Sequence, residues 1–454
     1  MKLRYLLFAG LIILLTAGLV ACGGAEESGS TAQDDSSADE TSGDEEVTLH
    51  LAALESAYDD EMWENIIENY EAANENVAIE LTSEKNLEEV IRPQMQAGDY
   101  PDVFLLATDR EEALTETLIK EDGLENISDV LDMTVPGEDV AVKDKMLEGF
   151  SDTLATNPYG DGEMYMAPMF YSPSGMFYNA GLLEEKGWEV PTTWDEMWEL
   201  GDESVEEELS LFTYPIAEYF DTFLGSMFYA SGGPDFFNSV MTYEEGIWET
   251  AEAERVLQTV EQLADYTHPN TVANANPNDF TRNQQLILDN EALFMPNGTW
   301  VVEEMADAPR ADDFEWGMTS VPAFEDGQGD RYAFTFFEQM WIPEQAENKE
   351  AAKEFIAYMY SDEAADIFLE AGAVQPIEGM TDKLEGQKQE FYSIYEEDVL
   401  PAMGTFASTE PVPGANMGDA LYGSVDSVVN GNMSVQEWQA DIQEVSDKLR
   451  PQMK

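Results

Sequence analysis

One thiol, two imidazoles and a large surplus of carboxylates are the groups in this sequence that could do chemistry. Cys22 is the only cysteine in 454 residues, so it closes no internal disulfide and is left as a nucleophile, a metal ligand or a site of modification. His50 and His268 are the only histidines, and neither lies near the cysteine, so a zinc site would lack its usual ligands. There is no G-x-x-x-x-G-K-[ST] loop, which excludes a P-loop ATPase, and no G-x-S-x-G or H-E-x-x-H motif. DGQGD (326–330) and YGDGE (159–163) combine acids with glycines but lack calcium-loop spacing with a glutamate at the twelfth position, and both read as turns. Among 95 acidic residues accidental carboxylate pairs are guaranteed, so counting them neither supports nor removes a glycosidase-type acid and base. No metal and no cofactor are expected.

The elements around these residues narrow the chemistry. Lys2 and Arg4 precede an apolar run from Tyr5 to Val20, and Ala21 puts a small residue before Cys22. This is the layout of a secretory signal, too short and too abruptly ended for an ordinary membrane span. The Leu19-Val20-Ala21-Cys22 ending resembles the lipobox of bacterial lipoproteins. That resemblance implies a signal peptide over 1–21 and a lipidated Cys22 as the new N-terminus, with location outside the cytoplasm at the cell membrane. Each acyl CH₂ buried in lipid contributes about 0.8 kcal/mol, so several chains hold firmly. The alternative is a buried free cysteine in an uncleaved helix. The rest of 22–46, GGAEESGSTAQDDSSADETSGDEE after the cysteine, is small, polar and acidic and reads as a solvated, self-repelling tether.

The formal charge is −75, and loss of Lys2 and Arg4 with the signal makes it more negative by two. Such a charge repels itself in dilute buffer but is screened as the Debye length shrinks to about 3 Å at 1 M salt, so the acids read as the coat of a halophilic protein. They are distributed along the whole chain, which disfavours the competing reading of a site for a cationic ligand. No basic patch could neutralise phosphates, and nucleic acid is excluded as a partner. With 43% apolar and 11% aromatic residues, the chain has ample material for one large or two medium domains.

Hydrophobic periodicity supplies the elements. VTLHLAAL (47–54) alternates as a strand, and DDEMWENIIENYEAAN (59–74) places Met62, Trp63, Ile66, Ile67 and Tyr70 on one helical face. VAIEL (77–81) is a second strand, and Asn86 with Glu89 predicts a capping-box start for a helix that stops at Gly98. PDVFLLA (101–107) is almost wholly apolar, as expected of a strand covered on both faces. Strand, helix, strand, helix, strand argues for parallel pairing in an α/β layer architecture. Farther on, Thr193 with Glu196 and Ser434 with Glu437 mark helix starts, 348–360 and 361–372 read as consecutive helices, and Trp194 reads as packing residue.

Several stretches together resemble the extracellular solute-binding proteins of carbohydrate ABC importers, the family that includes maltose-binding protein. They are GDYPDVFLLATDR (98–110), GEMYMAPMFYSPSGMFYNAGLLEEKGWEVPTTWDEMWEL (162–200), NEALFMPNGTWVVEEM (290–305), WGMTSVPAF (316–324) and NKEAAKEFIAYMYSDEAADIFLEAGAVQPI (348–377). The resemblance implies a type II periplasmic-binding-protein-like α/β fold, two lobes joined by crossover segments around a ligand cleft. It assigns 47–170 plus 323–372 to lobe I and 171–322 plus 373–454 to lobe II. It further implies a receptor, not an enzyme, that binds a sugar or oligosaccharide and delivers it to ABC transporter permease subunits. Within the family, GWEVPTTWDEMWELGDESVEEELSLFTYP with YASGGPDFF looks most like carriers of N-acetylglucosamine or chito-oligosaccharides.

Position by position, the resemblance makes Asp109 and Arg110 an acid–base pair for sugar hydroxyls and Trp300 a stacking plate. Ser172 falls where maltose-binding protein has a ligand-binding glutamate, which places malto-oligosaccharide specificity in doubt, and Tyr171 beside it offers a stacking face. Glu218 and Tyr219 lie where second-lobe contacts come, and Tyr58 faces the expected cleft mouth. The bland alternatives are a helix-start ion pair for Asp109 and Arg110, plain core for Trp300, and no ligand role for the others. Two other functions are compatible with an anchored α/β protein: an extracellular glycoside hydrolase or lyase, and a glycan-binding surface protein without transport.

Overall fold

A computed structural model describes residues 46–453 apart from 56–59, 109, 111, 152, 326, 328 and 397. The signal peptide, Cys22, nearly all of the tether, Tyr58 and Asp109 therefore lie outside the described residues.

Strands β1 (Val47–Leu54), β2 (Val77–Glu84) and β3 (Val103–Leu105) pair in parallel in the order β2-β1-β3, linked by helices Asp60–Ala73 and Leu87–Gln96. The alternation of β1 has a direct outcome in packing. Leu49, Leu51 and Ala53 enter one core while Ala52 enters another on the opposite face. On β3, Val103 and Leu105 join the first core and Phe104 the second, which is why this strand carries no polar alternation. The helix Asp60–Ala73 buries Met62, Trp63, Ile66 and Tyr70 against the first core, with Ile67 at its margin.

The capping box expected at Asn86 does not form. Asn86 has φ −108° and ψ 42° rather than an extended backbone, and its side chain accepts no helix N–H. The Glu89 N–H donates instead to the Asn86 carbonyl at 3.0 Å, and the Asn86 amide donates to the Glu89 carboxylate at 3.0 Å. Thr193 and Ser434, both extended, do form capping boxes at the helices Trp194–Glu206 and Val435–Leu449. Ser361 caps the helix Asp362–Glu370, directly after Lys349–Met359. YGDGE is a run of bends in which Gly160 and Gly162 take φ of 67° and 86°.

Two long strands carry the sheet from one half to the other. The first part of β4 (Met166–Asn179) pairs antiparallel with β8 (Arg331–Trp341), and its last residues pair with β6 (Ala292–Gly298) and β7 (Trp316–Thr319). β8 in turn pairs with β3 and with β9 (Val399–Ala402), and β5 (Ser210–Phe212) pairs parallel with β6. The order is β2-β1-β3-β8-β4-β6-β5. A third core, with Trp194, Trp248, Trp438 and the long helix Phe220–Met241, packs against the β5–β6 end. Trp194 is stacked between Trp198 and Phe324, at centroid distances of 5.2 and 5.8 Å.

Candidate ligand-binding site

Where β4, β6 and β8 meet, a cleft of about 1420 Å³ opens, lined also by residues of the 404–423 segment, irregular up to the short helix Met417–Leu421. Trp300 stands on its wall. β6 ends at Gly298, and two residues later the chain turns into the short helix Val301–Glu304. The indole folds back over Gly298 so closely that a Cβ there would lie 2.0 Å from the ring. Trp300 keeps 38% of its surface exposed, and Phe336 of β8, 5.7 Å away between ring centroids, keeps 42%. Large apolar side chains this exposed are few among the described residues, the others being Val205 and Met453. The two ring planes are inclined at 55°, so they offer two adjoining apolar faces, each able to take a flat apolar face of a ligand.

Polar groups lie around these rings. The Trp300 indole N–H donates to the Tyr219 hydroxyl at 3.4 Å, which tethers the ring, although Tyr219 itself does not line the cleft. The hydroxyls of Ser172 on β4 and Thr299 are 3.0 Å apart, both at the cleft surface. Glu218 lines the cleft as an exposed carboxylate, with Asp221, Glu303, Glu338 and Asp419 elsewhere in the lining. Lys388 is the cation of the lining: it donates to the Gly372 carbonyl at 3.0 Å and sits 5.7 Å from the Tyr392 ring centroid. Burial pulls its pKa down, against the opposing field of Glu303.

Two expected contacts are used elsewhere. Tyr171 borders the cleft but is only 4% exposed, its ring wedged among Phe150, Tyr392 and Tyr395 and its hydroxyl donating to the Tyr392 carbonyl at 3.2 Å. No face is left for stacking, because Phe150, Tyr392 and Tyr395, all distant in sequence, pack around the ring. Arg110 is outside the cleft lining and donates from Nε to Glu88 at 2.9 Å, while the second oxygen of that buried carboxylate accepts the Leu114 N–H. This pairing, with a residue 22 positions away, differs from the helix-start ion pair expected of Asp109 and Arg110, Asp109 lying outside the described residues; a buried glutamate needs its charge matched.

β8 supplies residues that were not singled out from sequence: Phe336, Phe337, Glu338 and Gln339 all line the cleft. The available signal was the one charged residue, Glu338, inside the run from Tyr332 to Trp341. Burial raises its pKa to about 7 despite the nearby Arg110 charge. His50 and His268 sit apart from this site, beside Glu80 and Glu291. Among the described residues no group of three or more His, Cys, Asp or Glu is placed to hold a metal.

Comparison with known proteins places the chain. It is 28% identical over 204 residues to the diacetylchitobiose-binding protein NgcE of Streptomyces coelicolor, covering 43% of this chain and 42% of that one. It is 26% identical over 212 residues to an arabinooligosaccharide-binding protein of Halalkalibacterium halodurans, covering 45% of each. The chain thus spans about half the length of the curated relatives it matches. The apo structure of RafE from Streptococcus pneumoniae superposes with a TM-score of 0.64 at 19% identity, over 89% of this chain and 98% of that one, a likeness of fold. The profile of the bacterial extracellular solute-binding proteins matches residues 65–384, well over half of the sequence, and the chain belongs to that family.

Proposed function

We propose that this chain captures a sugar or oligosaccharide outside the cell and delivers it to the permease subunits of an ABC importer, held at the membrane by lipid on Cys22. The observation that carries the reading is the pair of exposed Trp300 and Phe336 rings in the same cleft as the Ser172 and Thr299 hydroxyls. A sugar presents a flat C–H face and a rim of hydroxyls, and this wall offers an apolar partner for one and polar partners for the other. The sugar-binding names of the relatives support it, with N-acetylglucosamine oligomers as the leading ligand class. In this reading 47–170 plus 323–372 and 171–322 plus 373–454 are two lobes that close over the ligand, which stabilises the closed state by touching both.

Calorimetric titration of the chain from Glu45 onward tests the proposal, at about 1 M salt so that self-repulsion is screened. One-to-one binding of a chito-, malto- or arabino-oligosaccharide, with the sugar recovered intact and binding weakened in Trp300→Ala, is the expected result. A folded sample that binds no sugar, or that gives the slow heat of hydrolysis, refutes it. Mass spectrometry of membrane-extracted protein checks the anchor: acylated Cys22 is expected, with release into the medium for Cys22→Ala.

A further inference from the structure

Strand β8 carries a carboxylate inside a cleft wall that is otherwise largely aromatic. Glu338 follows Phe336 and Phe337 and precedes Gln339, and all four line the cleft. Strict alternation would turn every second one away. Opposite them the β4–β8 register is irregular between Pro168 and Phe170, so that Gln339 faces Pro168 while Glu338 faces Phe170. Irregularities of this kind re-aim side chains.

Both polar side chains have acceptor capacity that the protein does not fill. Among the described residues no hydrogen bond reaches the Glu338 carboxylate. Gln339 donates from Nε2 to the Ala155 carbonyl at 3.4 Å, but its Oε1 is buried without a partner. Glu338 is half-buried and lines the cleft, so a ligand can reach it, and a donor from outside the chain improves the pairing of a charged acceptor that its surroundings have partly dried. Among the described residues nothing nearby does so: β4 presents Phe170 and Tyr171, whose hydroxyl already donates to the Tyr392 carbonyl. The segment after β3 contributes Arg110, already engaged with Glu88.

We infer that Glu338 is the specificity-determining acceptor of this cleft: it takes hydrogen bonds from the hydroxyls of a neutral sugar and rejects sugars that carry a carboxylate. The inference rests on the sugar-binding reading and deepens it. A bound hydroxyl replaces the water that burial has removed, whereas a uronate would set two like charges together in a poorly solvated wall. Because the hydroxyls favour the ionised form of a carboxylate whose pKa is raised to about 7 when the cleft is empty, binding lowers that pKa and releases a proton. Affinity therefore rises as pH rises through about 7.

Calorimetry on the full-length protein in detergent tests this, with N,N′-diacetylchitobiose, maltotriose and arabinotriose as neutral probes. A galacturonic acid dimer and a glucosamine dimer are the charged ones. One neutral probe is expected to bind about tenfold tighter at pH 8 than at pH 6, with proton release at pH 7 seen as a dependence of the heat on buffer ionisation enthalpy. Glu338→Gln is expected to weaken that probe roughly 10-fold or more and to abolish both pH effects, and the galacturonic acid dimer is expected not to bind. Unchanged affinity and pH profile in Glu338→Gln would overturn the inference while leaving the sugar reading intact. So would galacturonate binding as tightly as the neutral sugar, or glucosamine dimer binding more tightly than its acetylated counterpart. If no probe binds the folded wild type, the sugar reading falls and this inference with it. Proton release is measured on the unchanged protein, so its absence overturns the inference even where the variant does not fold.

Discussion

Replacing Gly298 by alanine should disable Trp300 without touching it. A Cβ at 298 would fall 2.0 Å from the indole, and non-bonded carbons need about 3.5 Å, so the ring must swing by roughly 1.5 Å or more or rotate off the wall. A buried tryptophan side chain covers up to about 250 Å². The 38% of Trp300 that is exposed therefore offers roughly 95 Å² to a ligand, about 2.4 kcal/mol at ~25 cal/mol per Å². Sugar affinity should drop about 50-fold in Trp300→Ala and by a comparable factor in Gly298→Ala, measured by calorimetric titration. With nine tryptophans in the chain, bulk fluorescence would blur the effect, so a double-mutant cycle is the better assay. Once Trp300 is alanine, adding Gly298→Ala should change affinity no further. The reasoning is refuted if Gly298→Ala binds like wild type, or if it costs as much with the indole absent as with it present.

Other consequences concern stability. Thr193→Ala removes the acceptor for the Glu196 N–H at 3.3 Å and should cost about 1 kcal/mol in urea unfolding; an unchanged midpoint would mean the capping box contributes nothing. Lys353, whose side chain is almost buried, binds Asp129 at 3.1 Å and Glu125 at 3.4 Å, and Lys353→Met should cost about 1 kcal/mol, since Glu125 keeps Lys349 at 2.7 Å and Asp129 is half exposed. A Lys353→Met protein with wild-type stability would show the pairs to be dispensable. Burial lowers the His268 pKa, outweighing the attraction of Glu291, so the unfolded chain takes up the proton more readily. Stability should therefore decline as pH falls through about 6.5, and His268→Gln should decline less than wild type between pH 7.5 and 5.5; equal slopes would remove the histidine from the account.

Most elements were legible because their causes are local. β1 matches its alternating run from Val47 to Leu54, and the helix Asp60–Ala73 lies within the run that its apolar face predicts. The boxes at Thr193 and Ser434 involve residues three apart and formed as expected. Asn86 failed by the same local chemistry: its own carbonyl satisfied the N–H its side chain was meant to serve. PDVFLLA yielded only the three residues of β3, since strand length is set by what a neighbouring strand can pair, not by apolarity alone. Trp300, placed by a Gly-x-Trp corner, was legible as a candidate; Phe336 was not, because its run reads as a buried strand and its exposure depends on the space left by distant segments.

By itself, the sequence determined the helix starts and strands of the first α/β unit, the excess of negative charge and the family, since propensity, patterning and capping act over a few to about fifteen residues. Tertiary structure alone decided which side chains meet in the cleft. Trp300 and Phe336, and Ser172 and Thr299, are brought together by β4 pairing with both β8 and β6. The same long-range packing turned Tyr171 inward and gave Arg110 to Glu88. Burial and unmatched hydrogen bonds are properties of that assembled space, so they have no signature in any short stretch of chain.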